Sequence, residues 1–268
     1  NFDAFLIERP VRAAARASRP TASTAGVRTA PAANAFTQSW GSERATSAVM
    51  TATLPLGKLG YMFVAVIDHP LVVERLTRMR DKTTKRAEFR RNLEELTSFV
   101  VYESLREQPV VRIEVDTPLA PTPGVQVAEP PLIVPVMRAG LGMLHATQLL
   151  LPNARVGFVG LRRDEDTHLP HAYVNTVPEN LDGKRVLVLD PMLATGGSLI
   201  HTCELLLAAN AGHITVVCVL AAPEGIEALR VAGIATTVFT ASIDERLNEN
   251  AFIVPGLGDA GDRQFGLA

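Results

Sequence analysis

This sequence predicts an α/β domain, a mainly parallel sheet flanked by helices, on three observations. From Met62 onward, short β-branched and leucine-rich runs alternate with longer stretches of helical period. Two of the runs, 132–136 and 186–189, are apolar throughout, as strands buried on both faces must be. The second ends on Asp190 and opens directly into a small-residue loop and a helix. Ligands of open α/β sheets collect at that edge.

The elements follow in order. Residues 1–61 are rich in Ala, Arg, Ser and Thr, with no sustained hydrophobic period. Such a segment buries too little apolar surface to offset its ordering entropy. It is read as a disordered extension, either transit-like (Arg-rich and acid-poor) or foreign to the native protein, and Trp40 leaves the fold with it. Met62 then opens the folded part. Residues 63–67 form a strand ending at Asp68-His69-Pro70, and a helix covers 71–80. A second helix spans about 84–105, its apolar stripe being Phe89, Leu93, Leu96, Val100 and Leu105. Residues 114–128 are turn-rich and carry short strands. Strand 132–136, helix 140–151 and strand 154–161 come next. Residues 162–178 are polar and read as an arm or hairpin. Strand 185–190 precedes helix 198–210, which is stopped at Gly212. Strand 214–221, helix 223–232 and strand 236–241 lead into a glycine-rich C-terminus.

Composition narrows the class. No apolar run approaches the roughly 18 residues that a membrane span needs. Cys203 and Cys218 have neither metal nor disulfide spacing, which fits a reducing, cytoplasmic compartment, or an organelle only if residues 1–61 are a transit peptide. Of 26 basic and 28 acidic residues, residues 1–61 hold seven and three, so the body carries 19 against 25. That balance argues against general nucleic-acid binding by the body.

The loop Asp190-Pro191-Met192-Leu193-Ala194-Thr195-Gly196-Gly197-Ser198 carries the chemistry. Thr195 to Ser198 offer backbone N–H groups, two hydroxyls and a helix N-terminus in one place, which suits a phosphate. The loop lacks the Gly-Lys-Ser/Thr ending of nucleotide hydrolases and the G-x-G-x-x-G of dinucleotide sites. A strand–turn–helix joint with glycine for packing alone is the competing reading. Arg138-Ala139-Gly140-Leu141-Gly142 follows strand 132–136, where a guanidinium can donate paired hydrogen bonds to phosphate oxygens. By itself that segment would read as a surface loop. Eight basic residues between Arg75 and Arg91 read first as the solvated faces of two helices. At the C-terminus, Ile253-Val254-Pro255 is a rigid apolar start to a glycine-lined loop whose backbone could complement the edge of a pyrimidine base.

Six motifs stand in register: His69-Pro70-Leu71, Met79-Arg80-Asp81-Lys82, Arg138 to Gly142, Asp190 to Ser198, Ala221 to Gly225 and Pro255 to Gly261. With them, the chain from about Met62 resembles the uracil phosphoribosyltransferases, of the type I phosphoribosyltransferase family. The resemblance implies that family's fold over residues 62–268, with a small C-terminal base-recognition hood. It implies the reaction of uracil with phosphoribosyl pyrophosphate (PRPP) to give UMP and pyrophosphate. PRPP would then be bound by Arg138, Arg163, the loop Asp190 to Ser198 (with Pro191, Met192, Leu193, Ala194, Thr195, Gly196 and Gly197) and Asp259. Uracil would be bound by Ile253, Gly258, Asp259 and Ala260, with Arg138, Arg163, Asp190 and Asp259 carrying the chemistry.

One departure stands out: the usual pair of adjacent acids is here Asp190 and Pro191. Mg²⁺ is accordingly expected to be held by PRPP and water, with no direct protein ligand. The resemblance also implies a homo-oligomer and a GTP effector, for which the basic stretch 75–91 is the candidate contact. Residues 164–171 are expected to close over the site. Two other functions stay open, an RNA-binding regulator of a pyrimidine operon on the same scaffold and a phosphoribosyltransferase for another base.

Overall fold

The computed structural model describes residues 49–55, 61–163, 170–234 and 236–266, all within a compact unit spanning Ala45–Ala268. The transit-like reading of the first 48 residues, and Trp40 with it, lies outside them. Strand β1 (Val49–Pro55) pairs antiparallel with β2 (Tyr61–Ile67). The ordered fold therefore reaches upstream of Met62, into residues that the composition assigned to the extension. The run Val49-Met50-Thr51-Ala52-Thr53-Leu54 has the β-branched alternation of a strand, which the Ala- and Arg-rich average of its surroundings conceals.

Two helices come next, α1 (Pro70–Arg80) and α2 (Arg86–Ser104). The His69 ring accepts a hydrogen bond from the Leu71 N–H (3.2 Å), and Pro70 occupies the first helical position, where its missing N–H costs nothing. Phe89, Leu93, Leu96 and Val100 of the expected stripe are fully buried, while Leu105 caps the helix and is partly buried. Each fully buried side chain of this size contributes about 1.5–3 kcal/mol. A hairpin of β3 (Val110–Asp116) and β4 (Pro121–Val127) then projects from the body, exposed on both faces.

The central alternation continues with β5 (Leu132–Met137), α3 (Leu141–Leu150), β6 (Val159–Arg163), β7 (Pro170–Asn175), β8 (Arg185–Leu189), β9 (Met192–Leu193), α4 (Gly197–Ala208), β10 (His213–Val217), β11 (Leu220–Ala221), α5 (Pro223–Val231), β12 (Thr236–Thr240) and β13 (Ser242–Ile243). Two short strands, β14 (Arg246–Leu247) and β15 (Ile253–Val254), and the short helix α6 (Ala260–Phe265) complete the chain. The eight-stranded sheet runs β1-β2-β12-β10-β8-β5-β6-β7. Its six inner strands are parallel and the two outer ones antiparallel, which satisfies the fold class expected. Within the stretch expected to be an arm or hairpin, β7 supplies the antiparallel edge by pairing with β6.

Three neighbouring strands break in step. β8, β10 and β12 halt at Asp190–Pro191, Cys218–Val219 and Ala241, then resume as β9, β11 and β13, a separate parallel three-stranded sheet. Pro191 cannot donate to the ladder. Its carbonyl instead accepts from the Val219 and Leu220 N–H groups (2.9 and 3.1 Å). The single strand expected over 214–221 is thus divided, while the one expected over 236–241 is met by β12.

Helix α4 ends earlier than expected. Asn210 (φ +59°) takes the left-handed position, with Asn210 N–H to the Leu207 carbonyl and Ala211 N–H to the Leu206 carbonyl closing the end. Gly212 has another cause, since a Cβ there would strike the Gly183 carbonyl. Cys203 and Cys218 are both buried and free, and burial pushes each thiol up to about 12.

Candidate active site

Asp190 lies where β8 breaks, its own N–H donating to the Val217 carbonyl (3.2 Å). Its residue exposure is 9 %. Burial pushes the carboxyl up to about 7, against the modest opposing effect of the Met192 N–H at 3.4 Å. A group balanced there ionises readily when hydroxyl donors arrive to stabilise the charge.

The loop beyond is held from outside and open at its tip. Pro191 and Leu193 are buried, Met192 and Ala194 half-buried. The Leu193 carbonyl accepts from the Ala222 N–H (2.8 Å), and a Cβ on Gly225 would strike the Ala194 carbonyl, so α5 packs its first turn directly against the loop. Thr195 and Ser198 are exposed. Gly196 has φ +83°, a conformation that favours glycine, and caps α4 without any side chain. The first turn of α4 therefore presents its amides and positive dipole end to solvent.

Arg138 sits one strand away. β5 pairs with β8 in parallel, Pro135 opposite Leu189, and the turn 138–140 leaves at the same edge as Asp190. Gly140 closes the gap: a Cβ on it would meet the Leu189 carbonyl and lie 2.8 Å from both N and O of Val136. The Arg138 side chain is exposed beside a cleft of about 560 Å³ lined also by Met137, Leu161 and Tyr173. Arg163 ends β6, the next strand over, at that same edge. Its side chain and residues 164–169, with the closure expected of the arm, lie outside what the structure describes.

The C-terminal residues form the hood. The Ile253 side chain is buried, and Gly258 (φ +81°) is exposed. Asp259 caps α6, accepting from the Asp262 N–H at 2.7 Å, and buried Ala260 begins the helix. Gln264 brings this hood to the Arg138 turn: its Nε2 donates to the Ala139 carbonyl (3.1 Å).

Arg80 belongs to one of the six motifs, but its partner Asp244 is marked by nothing in the sequence. Arg80 grips Asp244 with both nitrogens (2.7 and 2.6 Å), across 164 residues of chain. Burial works upward on the Asp244 carboxyl, but Arg80, the Gly256 N–H and Ser242 outweigh it and hold it below the usual carboxylate range. Arg263 also went unremarked. Its guanidinium donates to the carbonyls of Met79, Leu257, Asp81 and Thr84 and lies 4.5 Å from the centre of the Phe89 ring. No short-range pattern announces either contact.

Four of the eight basic residues of the stretch, Arg75, Arg78, Arg80 and Arg91, have carboxylate partners. Arg75 holds Glu74 and Glu95, Arg78 holds Glu74, and Arg80 holds Asp244. Among the described residues no three His, Cys, Asp or Glu side chains converge to bind a metal ion, and no helix is long and apolar enough to cross a membrane.

Comparison with known proteins gives one answer. The family model described as uracil phosphoribosyltransferase matches residues 66–267. The uracil phosphoribosyltransferase of Streptomyces griseus subsp. griseus is 50 % identical over 210 residues, 77 % of this chain and 100 % of that protein. That of Corynebacterium diphtheriae is 48 % identical over 205 residues, 76 % and 97 % of the two chains. Among solved structures, the AQ2163 protein of Aquifex aeolicus superposes with a TM-score of 0.70 at 36 % identity, covering 76 % of this chain and 99 % of that one.

Proposed function

The chain belongs to the uracil phosphoribosyltransferase family, and from that premise we propose that it joins uracil to the ribosyl carbon of PRPP, giving UMP and pyrophosphate. The observation that carries the reading is the meeting, at one sheet edge, of the Asp190–Ser198 loop with the Arg138 turn and the glycine-rich hood. In this reading Thr195 to Ser198 and the α4 amides hold the 5-phosphate. Asp190 accepts hydrogen bonds from the ribose hydroxyls. Arg138 and Arg163 neutralise pyrophosphate as the bond from anomeric carbon to oxygen breaks and the bond to the uracil nitrogen forms. The Ile253 carbonyl and the backbone of Gly258, Asp259 and Ala260 read the base edge, and Asp259 also approaches PRPP. Cytosine would leave buried partners of that edge unpaired, which is how polar pockets discriminate.

Mg²⁺ belongs to the substrate in this scheme. Asp190, with Pro191 beside it, is no carboxylate pair, so the cation travels on the pyrophosphate oxygens of PRPP. The cytoplasm is the proposed compartment, given two buried free thiols. A homo-oligomer is part of the proposal, supported by the β3–β4 hairpin, which exposes Val110, Val111, Ile113, Val115 and Val125 where an isolated two-stranded hairpin would gain from cover. A GTP effector, if it uses the 75–91 stretch, would meet Lys82 and Lys85 sooner than the arginines already paired there. The same pairing weakens the RNA-binding alternative. The deciding experiment is a product assay with PRPP, Mg²⁺ and separately uracil, cytosine, hypoxanthine and orotate. UMP from uracil alone is the expected result, and turnover of a different base or of none overturns it.

A further inference from the structure

The base-reading hood is anchored at Gly256 through both of that residue's backbone polar groups. The Asp244 carboxylate accepts from the Gly256 N–H (2.8 Å), and Arg80 Nη1 donates to the Gly256 carbonyl (2.9 Å) while the same guanidinium holds Asp244. Ser242 Oγ donates to Asp244 Oδ1 at 3.1 Å, fixing the carboxylate against β13. One residue on, the Leu257 carbonyl is taken by Arg263 (2.9 Å). Both polar groups of Gly256 and the next carbonyl are thus drawn inward, to groups on α1, β13 and α6.

What this arrangement turns toward the ligand side follows from the backbone. Gly256 has φ +64°, and a Cβ on it would strike the Ile253 carbonyl. That carbonyl therefore rests over the bare Cα of the clamped residue, and its position is set by how Gly256 is held. Gly258, two residues further, is again left-handed (φ +81°) and opens the Gly258–Ala260 turn. The Asp244 side chain is 2 % exposed, so it acts from beneath the loop without reaching a ligand.

We infer that Arg80 and Asp244 are a positioning pair for base recognition, fixing the Gly256 backbone and through it the Ile253 carbonyl and the backbone donors of residues 258–260. The inference rests on the uracil reading above and adds to it two residues that touch no substrate. Neither the phosphate loop nor the Arg138 turn takes a hydrogen bond from this pair, so its loss should register chiefly on the base and reach PRPP only through Asp259.

Asp244→Asn keeps the shape and one acceptor, whereas Arg80→Lys keeps the charge but loses the two-pronged grip. Initial rates on the full-length protein, with uracil and PRPP varied separately, are expected to show KM for uracil raised about tenfold or more in Asp244→Asn, because small displacements of a binding group are costly. KM for PRPP stays within about twofold of wild type, as expected for binding groups left in place, and Arg80→Lys falls between. Amide hydrogen exchange at Gly256 in the ligand-free protein supplies a second reading, with protection lost in Asp244→Asn. Equal shifts in both KM values, or none in either, overturn the inference while UMP formation by the wild type leaves the function intact. Should the wild type make no UMP, the function fails first. Unchanged Gly256 protection in the variant then overturns the clamp, and lost protection upholds it.

Discussion

Replacing Asp190 with asparagine is expected to stabilise the ligand-free protein at alkaline pH while removing its activity. The carboxyl is raised from an ordinary 3.8 to about 7 because burial disfavours its charge. The folded state consequently binds more protons than the unfolded chain between those two values, so stability falls as pH rises through that window and is level above it. At about 1.4 kcal/mol per pH unit, the whole rise corresponds to about 4 kcal/mol. Asparagine has the same shape and does not titrate. The stability difference between variant and wild type should therefore grow by roughly 3 kcal/mol from about pH 5 to about pH 8.5, or roughly 6–12 °C in Tm for a domain of this size. Urea titrations monitored at several pH values measure it directly. Parallel pH profiles for the two proteins would refute the argument, because they would mean that Asp190 ionises in the fold as easily as in water. The kinetic counterpart is a loss of about 10- to 100-fold in kcat/KM, the worth of hydrogen bonds to a charged group. Wild-type turnover by Asp190→Asn would remove the residue from ribose binding.

Three other variants test the frame around the site and the projecting hairpin. Gly140→Ala would push a methyl group against the Leu189 and Val136 carbonyls. A loss of about 1–3 kcal/mol in denaturant unfolding is expected, with a raised KM for PRPP as the Arg138 turn shifts. Arg263→Met strips four carbonyls of their donor and leaves Phe89 uncovered by the cation, for an expected loss of about 2–3 kcal/mol. A Tm equal to wild type would contradict it. Val111→Lys combined with Ile113→Lys places two charges on one face of the projecting hairpin, since alternate strand residues share a face. Sedimentation velocity should then show a smaller species than wild type, and an unchanged sedimentation coefficient would exclude the hairpin from the subunit interface.

Strand β8 and its loop were legible because the information is local. Four apolar residues, a terminal carboxylate and a Thr-Gly-Gly-Ser turn specify a buried strand and an open helix N-terminus within thirteen residues of chain. The α2 stripe was legible for the same reason, its period being that of the helix. Elsewhere local pattern misled. Residues 214–221 are apolar but for Thr215, yet the strand divides at Cys218–Val219, because the neighbouring strand loses a donor at Pro191 and the ladder re-forms one step on. Val49–Pro55 was absorbed into its Ala- and Arg-rich surroundings, since composition averages over a window that one edge strand does not fill.

From its residues alone, then, the chain pointed to the chemistry it could perform: a phosphate cradle, a strand-end acid beside it, an arginine turn and a glycine-lined stretch for a base. Each is a property of a few consecutive residues. Only the tertiary structure decided how these pieces hold one another. Gly140 lies against Leu189, Gln264 reaches Ala139, and Arg80 grips both Asp244 and Gly256, contacts between residues 49 to 176 positions apart. Such contacts depend on where the sheet order brings separate strand ends and on which carbonyls are left without a ladder partner. Both are set when the core closes, and no spacing in the chain encodes them.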